Sequence, residues 1–166
     1  MIVVSDTSPI NNLAAIGVLD LLRALYGTVV IPEAVYAELT DPNFLVAGSK
    51  AVQSLDWIQV RAVTERTMIE SLRGELDPGE SESIALALEL NAERVLIDER
   101  RGREVAKRLN LRYTGLLGVL VEAKAQGLIA EVKPSLDALI NQAGFWVAKP
   151  LYDSVLKLVG EEEGNE

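Results

Sequence analysis

The chain has 166 residues, of which 49% are hydrophobic and 25% charged, with a net charge of −9, the balance of one globular domain able to bury a core. It contains no cysteine and no histidine, which excludes disulfides, thiolate catalysis, cysteine–zinc sites and imidazole bases. Carboxylates, hydroxyls, lysine and arginine remain, so a metal held by this chain is oxygen-ligated, which favours Mg2+, Mn2+ or Ca2+; the acidic balance argues against broad adhesion to nucleic acid.

The chain starts MIVVSD, without the basic and long apolar regions of a secretory leader. No apolar run approaches the roughly 20 residues of a membrane span, so a cytoplasmic protein is expected. Ile2-Val3-Val4 and Thr28-Val29-Val30-Ile31 read as buried parallel strands. Pro32 takes a first-turn position in the helix PEAVYAELT. Trp57-Ile58-Gln59-Val60 is a third strand candidate. Asp77-Pro78-Gly79-Glu80 then opens a helix, ESESIALALELN, with Asp77 as N-cap, Pro78 at N1 and Glu80 closing a capping box. Ile84, Ala85, Leu88 and Asn91 keep helical spacing. Arg94-Val95-Leu96-Ile97 reads as a fourth strand, REVAKRLN as a helix with Val105, Ala106 and Leu109 inward, and Leu111-Arg112-Tyr113 as a fifth strand.

Strands alternating with helices predict a three-layer α/β/α domain around a central parallel sheet of about five strands. Beyond it the pattern is helical, over 115–126, 131–142 and 150–159. We read one domain over 1–160, with an α/β core (1–114), a helical extension (115–160) and an acidic, frayed end (161–166).

Parallel sheets bind ligands at the carboxyl ends of their strands. Asp6 follows the first strand in VVSDTSPI, and Asp98 follows the fourth in VLIDERRG. If those strands are neighbours, both acids share one edge. Each also suits a helix N-cap. Glu38 lies on the helix after the second strand, beside Val35 and Leu39. In GESES, Glu80 and Glu82 are separated by about 200° around a helix, so only one of them faces a given ion. Arg100, Arg101 and Arg103, just past Asp98, fit either phosphate contacts or a solvated helix face.

The chain resembles the PIN-domain family, metal-dependent ribonucleases that include toxins of toxin–antitoxin pairs. The resemblance rests on VVSDTSPI, VVIPEAVYAEL, ESESIALALEL and RVLIDER in that order, and covers about residues 1–110. It implies an acidic catalytic cluster of Asp6, Glu38, Glu80 and Asp98. Asp6, Asp98 and either Glu80 or, with a two-residue shift, Glu82 would ligate Mg2+ or Mn2+, and Thr7 or Ser8 would position a ligand or water. The family more often has aspartate at the helix start, and typical members end soon after the fifth strand. The extension resembles a less characterised branch.

That resemblance implies phosphodiester hydrolysis of RNA, with an antitoxin protein as a partner. A non-catalytic PIN-fold interaction module is the alternative from another class. A small-molecule phosphohydrolase is a second, but Asp6-Thr7-Ser8 lacks the second aspartate of an Asp-x-Asp phosphatase, and no phosphate-binding P-loop occurs. The extension carries Leu116, Leu117, Val119, Leu120, Val121, Leu128, Ile129, Leu136, Leu139, Ile140, Phe145 and Trp146. This surplus predicts a homodimer unless it completes the monomer core.

Overall fold

A computed structural model describes residues 1–162. Five strands, β1 (Val3–Ser5), β2 (Val29–Pro32), β3 (Ile58–Arg61), β4 (Arg94–Leu96) and β5 (Tyr113–Thr114), form one sheet in the order β3-β2-β1-β4-β5. Every pairing is parallel. The chain winds outward from β1 to β3, then returns to place β4 on the other side of β1.

Alternate residues of each strand face opposite sides, as the pleat requires. Val3, Val29, Ile31 and Leu96 enter one core, with α1 (Thr7–Ala15), α2 (Asp20–Tyr26), α3 (Glu33–Leu39) and α4 (Ser49–Ser54). Val4, Val30, Val95 and Ile97 enter the other, against α5 (Arg66–Leu72), α6 (Pro78–Glu89) and α7 (Arg100–Arg108). The architecture is therefore the three-layer α/β/α expected. No helix among the described residues is long and apolar enough to cross a membrane.

Local differences from the sequence reading have local causes. Ile2 lies outside β1 and is exposed. Pro32 ends β2 and caps α3, one position before the first turn. Asn91 does not continue α6. It takes φ 51°, and its N–H donates to the carbonyl of Leu88 while Ala92 N–H donates to Ala87, a Schellman close. Asn110 does the same for α7, with φ 60° and Leu111 N–H donating to Ala106. Asparagine tolerates the left-handed region because its short polar side chain can bond locally.

The extension forms α8 (Leu116–Ala125), α9 (Lys133–Asn141) and α10 (Lys149–Leu158). These helices cover the face that holds α1 and α2. Leu116, Val119, Leu120, Leu136 and Leu139 are consequently buried in the monomer core, which corrects the premise that they are surplus surface. Leu128 and Trp146 alone of that set remain exposed. Glu161, assigned to the frayed end, is instead held: it accepts hydrogen bonds from the N–H groups of Val132 and Lys133 at the start of α9 and from Lys124 Nζ. Residues 163–166 of that end lie outside the described residues.

A polar knot joins the extension to the sheet. Arg94 on β4 donates to Thr114 Oγ1 on β5 (3.0 Å) and to Glu122 on α8. Tyr26 OH donates to the other Glu122 oxygen at 2.8 Å, and the guanidinium lies 5.2 Å from the Tyr26 ring centroid. Glu122→Ala leaves a mostly buried guanidinium without its counter-ion, so we expect a loss of about 2 kcal/mol in urea unfolding. An unchanged midpoint would show that the knot adds nothing.

Candidate functional site

The reversal of winding beside β1 sets the site. Ser5 pairs with Leu96, and Asp6 N–H continues the ladder by donating to Leu96 O at 2.9 Å. Asp6 and Asp98 therefore emerge from adjacent strands at their carboxyl ends, at the topological switch point where such sheets bind ligands. Neither caps the helix that follows it in the chain. Asp6 occupies the N-cap position of α1, but its side chain makes no cap hydrogen bond. The N-cap of α7 is Glu99, not Asp98.

The first turn of α1 joins two groups of acids. Thr7 Oγ1 donates to Glu38 Oε2 at 2.6 Å, and Ser8 Oγ donates to Asp98 Oδ2 at 2.8 Å. Asn12 Nδ2, one helical turn on, donates to Ser8 Oγ and to Ser8 O. The second oxygen of Asp98 accepts from Leu116 N–H at 2.7 Å, at the start of α8.

Around Asp6 the acids crowd against the N-terminus of α6. A methyl group on Gly79 would lie 2.5 Å from Glu38 Oε1 and 3.2 Å from Asp6 Oδ1, so this glycine lets both carboxylates reach the helix backbone. Asp77 and Glu80 form the expected capping box. Glu80 also turns one oxygen, Oε2, inward, where it is buried without a hydrogen-bond partner. Gly102 makes room for it, since a Cβ there would lie 2.9 Å from that oxygen and 2.4 Å from Ile97.

The electrostatics follow from this crowding. Burial, with added repulsion from Asp77, Glu38 and Glu80, pushes the Asp6 carboxyl up to about 8, although the neighbouring Thr7 N–H opposes the shift. Glu80 is pushed up to about 7, by burial and then by Asp77. Glu38 is raised by partial burial, opposed by the Thr7 hydroxyl. Asp98 is raised by burial as well, while the Leu116 N–H, the Ser8 hydroxyl and Arg103 oppose the shift.

The candidates therefore divide. Asp6 and Glu38 meet at Gly79, with Asp77 and Glu80 near enough to raise Asp6 electrostatically, and Asp98 is reached through Ser8. Glu82 is turned elsewhere: its Oε1 accepts from Ala34 N–H in the first turn of α3, and its other oxygen lies 4.0 Å from Arg66. It ties α6 to α3 and is not positioned as a ligand. Arg100 pairs with Glu104 on the solvent side, and Arg101 reaches the carbonyl of Glu75. Only Arg103 of the three arginines borders the site, in a cleft of about 600 Å3 that also touches Ser8 and Asp98. The sequence reading missed Asp77 as a member of the acid group, Asn12 as the support of Ser8, and the two glycines. A glycine inside the first turn of a helix, twice, in DPGE and RRGRE, was the available signal, because glycine there costs helix stability relative to alanine.

Among the described residues no three acidic side chains converge tightly enough to hold a metal ion. The donor set still suits a hard divalent cation: carboxylate oxygens only, an unpartnered buried oxygen on Glu80, and mutual repulsion that a cation would relieve. Asp6 and Glu38, with Glu80 if its side chain turns toward them, are the residues that could hold one.

A family model described as PIN domain matches residues 2–161, which takes in α8–α10 as well as the α/β core. Among solved structures, a PilT N-terminus domain protein from the hyperthermophilic archaeon Sulfolobus solfataricus P2 is similar, with a TM-score of 0.58 and 22% identity. The likeness covers 74% of this chain and 93% of that one, and it concerns the fold. No curated protein matches the chain.

The raised carboxyls set a direction for pH dependence. An unfolded chain releases these protons near pH 4, whereas the folded chain keeps them up to about 8 on Asp6 and about 7 on Glu80. In that window the folded state holds more protons, so its stability falls as pH rises. In EDTA the melting temperature should drop between about pH 5 and pH 8.5, and Asp6→Asn should flatten most of the drop. A variant that tracks the wild type across the window would refute the buried-acid account.

Proposed function

The chain belongs to the PIN-domain family, whose fold is of nuclease type, and from that premise we propose that it is a Mg2+- or Mn2+-dependent ribonuclease acting in the cytoplasm. The observation that carries this reading is the approach of Asp6 and Glu38 to Gly79 at the carboxyl edge of the sheet, with Asp77 and Glu80 near enough to raise the Asp6 carboxyl. The chemistry that a divalent cation supplies in such a site is a lowered water pKa and neutralised charge at the scissile phosphate.

The chain's own groups supply position and access. Thr7 fixes Glu38, and Ser8 with Leu116 N–H fixes Asp98, so neither acid must be ordered when substrate arrives. Asn12 aims the Ser8 hydroxyl. Arg103, beside Asp98, offers a positive group to a phosphate oxygen in a chain that is otherwise acidic. Asp77 deepens the negative potential around Asp6 and Glu38.

A second reading, a non-catalytic interaction module of the same fold, is favoured by one feature: both oxygens of Asp98 are already engaged within the protein. Service as the toxin of a toxin–antitoxin pair is the finer form of the nuclease reading. Its expression would then arrest growth in an Asp6-dependent way.

The purified protein should cut RNA with Mg2+ or Mn2+ and not in EDTA. Asp6→Asn and Glu38→Gln should each lower kcat by at least roughly 100-fold, the scale of losing a group that stabilises developing charge. Glu82→Gln should leave kcat within about twofold. Wild-type turnover that survives EDTA, or full activity in Asp6→Asn, would remove the proposed chemistry. Gly79→Ala tests the geometry: its Cβ displaces Glu38, so activity should fall at least about tenfold with the fold retained.

A further inference from the structure

The first turn of α6 gathers three carboxylates. Pro78 drives the residue before it into extended backbone, and Asp77 takes φ −70° and ψ 171° as the N-cap. One oxygen of Asp77 then accepts from Glu80 N–H at 2.8 Å. The preceding amide, Gly79 N–H, faces Glu38 closely enough to favour its charged form. Neighbouring N–H groups of one helix thus serve Asp77 and Glu38. Asp6 Oδ1 and Glu38 Oε1 both point at Gly79, 3.2 Å and 2.5 Å from where a Cβ would stand. Asp6 is 5% exposed, yet among the described residues its carboxylate makes no cap bond and no side chain hydrogen-bonds to it. Buried charges are paired or coordinate metals, so a buried carboxylate left open beside a second one calls for a cation.

The remaining acids differ in what they have free for an ion. Both oxygens of Asp98 are held, by Ser8 and by Leu116 N–H. Glu80 turns its unpartnered oxygen to Gly102 and Ile97. Asp77 keeps one oxygen without a hydrogen bond among the described residues, and the residue is exposed, so its side chain can turn. Of the acids that repel Asp6, Asp77 acts most strongly.

We infer that Asp77, not Asp98, is the third carboxylate ligand of a divalent cation held by Asp6 and Glu38. The inference rests on the cation-dependent ribonuclease reading and reassigns one of its ligands. Asp77 then serves twice, with one oxygen capping α6 and the other meeting the ion. Asp98 is the joint between α1 and α8.

Mn2+ binding without RNA tests this, by calorimetry and by the rise in melting temperature when the ion is added. Asparagine caps helices about as well as aspartate, so Asp77→Asn removes the charge and keeps the cap. Its dissociation constant for Mn2+ should rise by roughly tenfold or more, because affinity at such sites follows the charged ligands. Its melting temperature in EDTA should equal or exceed that of the wild type, since a repelling charge has gone. Asp77→Ser, a second uncharged cap, should behave alike. Asp98→Asn should leave the dissociation constant within about threefold, as a charge that does not touch the ion does.

Unchanged Mn2+ affinity in Asp77→Asn, with a lowered melting temperature in EDTA, would reduce Asp77 to a cap and overturn the inference. An equal loss of affinity in Asp98→Asn would overturn it as well. Asp77-dependent Mn2+ binding without RNA cleavage by the wild type would uphold the ligand while the nuclease reading fails. Mn2+-dependent cleavage that Asp77→Asn retains in full would leave the nuclease intact and overturn the ligand.

Discussion

The pairing of β1 with β4 is the constraint on which the rest depends. Three residues of each strand are in register, and each strand releases an acid at its carboxyl end within two residues of the last pair. Because the helices after β1 and β4 pack on opposite faces of the sheet, the chain parts there and leaves a crevice. No other adjacent pair in the sheet has this divergence together with two acids. A one-residue slip of β4 would send Val95 and Leu96 to the wrong cores and carry Asp98 away from Ser8.

Bringing acids together is electrostatically costly, and the local structure is arranged to contain that cost. Asp77 is satisfied by the backbone of α6, Glu38 by a hydroxyl, and Asp98 by a hydroxyl and an amide. The glycines at 79 and 102 remove the methyl groups that would otherwise hold the carboxylates apart. Asp6 and Glu80 lack comparable compensation, and they are the two groups pushed furthest from ordinary carboxylate behaviour. An opposed pair of requirements, close acids and a stable fold, is typical of sites where local stability is given up for chemistry.

The extension is part of the domain and not an appendage. Leu116 supplies both a buried side chain and the N–H that holds Asp98, so packing of α8 on the sheet and orientation of the acid are one event. Glu161 returns from the end of α10 to satisfy the first N–H groups of α9, and Arg94 with Glu122 ties α8 to β4 and β5. The segment between α9 and α10 thereby lines the same cleft as Asp98.

The sequence alone determined the first four strands, the capping box at Asp77 and the acids at the ends of β1 and β4, because periodicity, β-branched runs and cap residues are local signals. The fifth strand, read at Leu111–Tyr113, forms at Tyr113–Thr114. It also narrowed the chemistry to oxygen ligation by the absence of histidine and cysteine. It left Glu80 and Glu82 unresolved and gave the arginines no preference, since the direction of a helical side chain depends on what packs against that helix. Only the tertiary structure decided these. The antiparallel contact of α6 with α3 sends Glu82 to Ala34 and brings Gly79 against Glu38, and the seat of α7 puts Arg103, not Arg100 or Arg101, at the cleft. Most apolar residues of the extension likewise became core, because hydrophobicity states that a side chain will be covered and not by which surface.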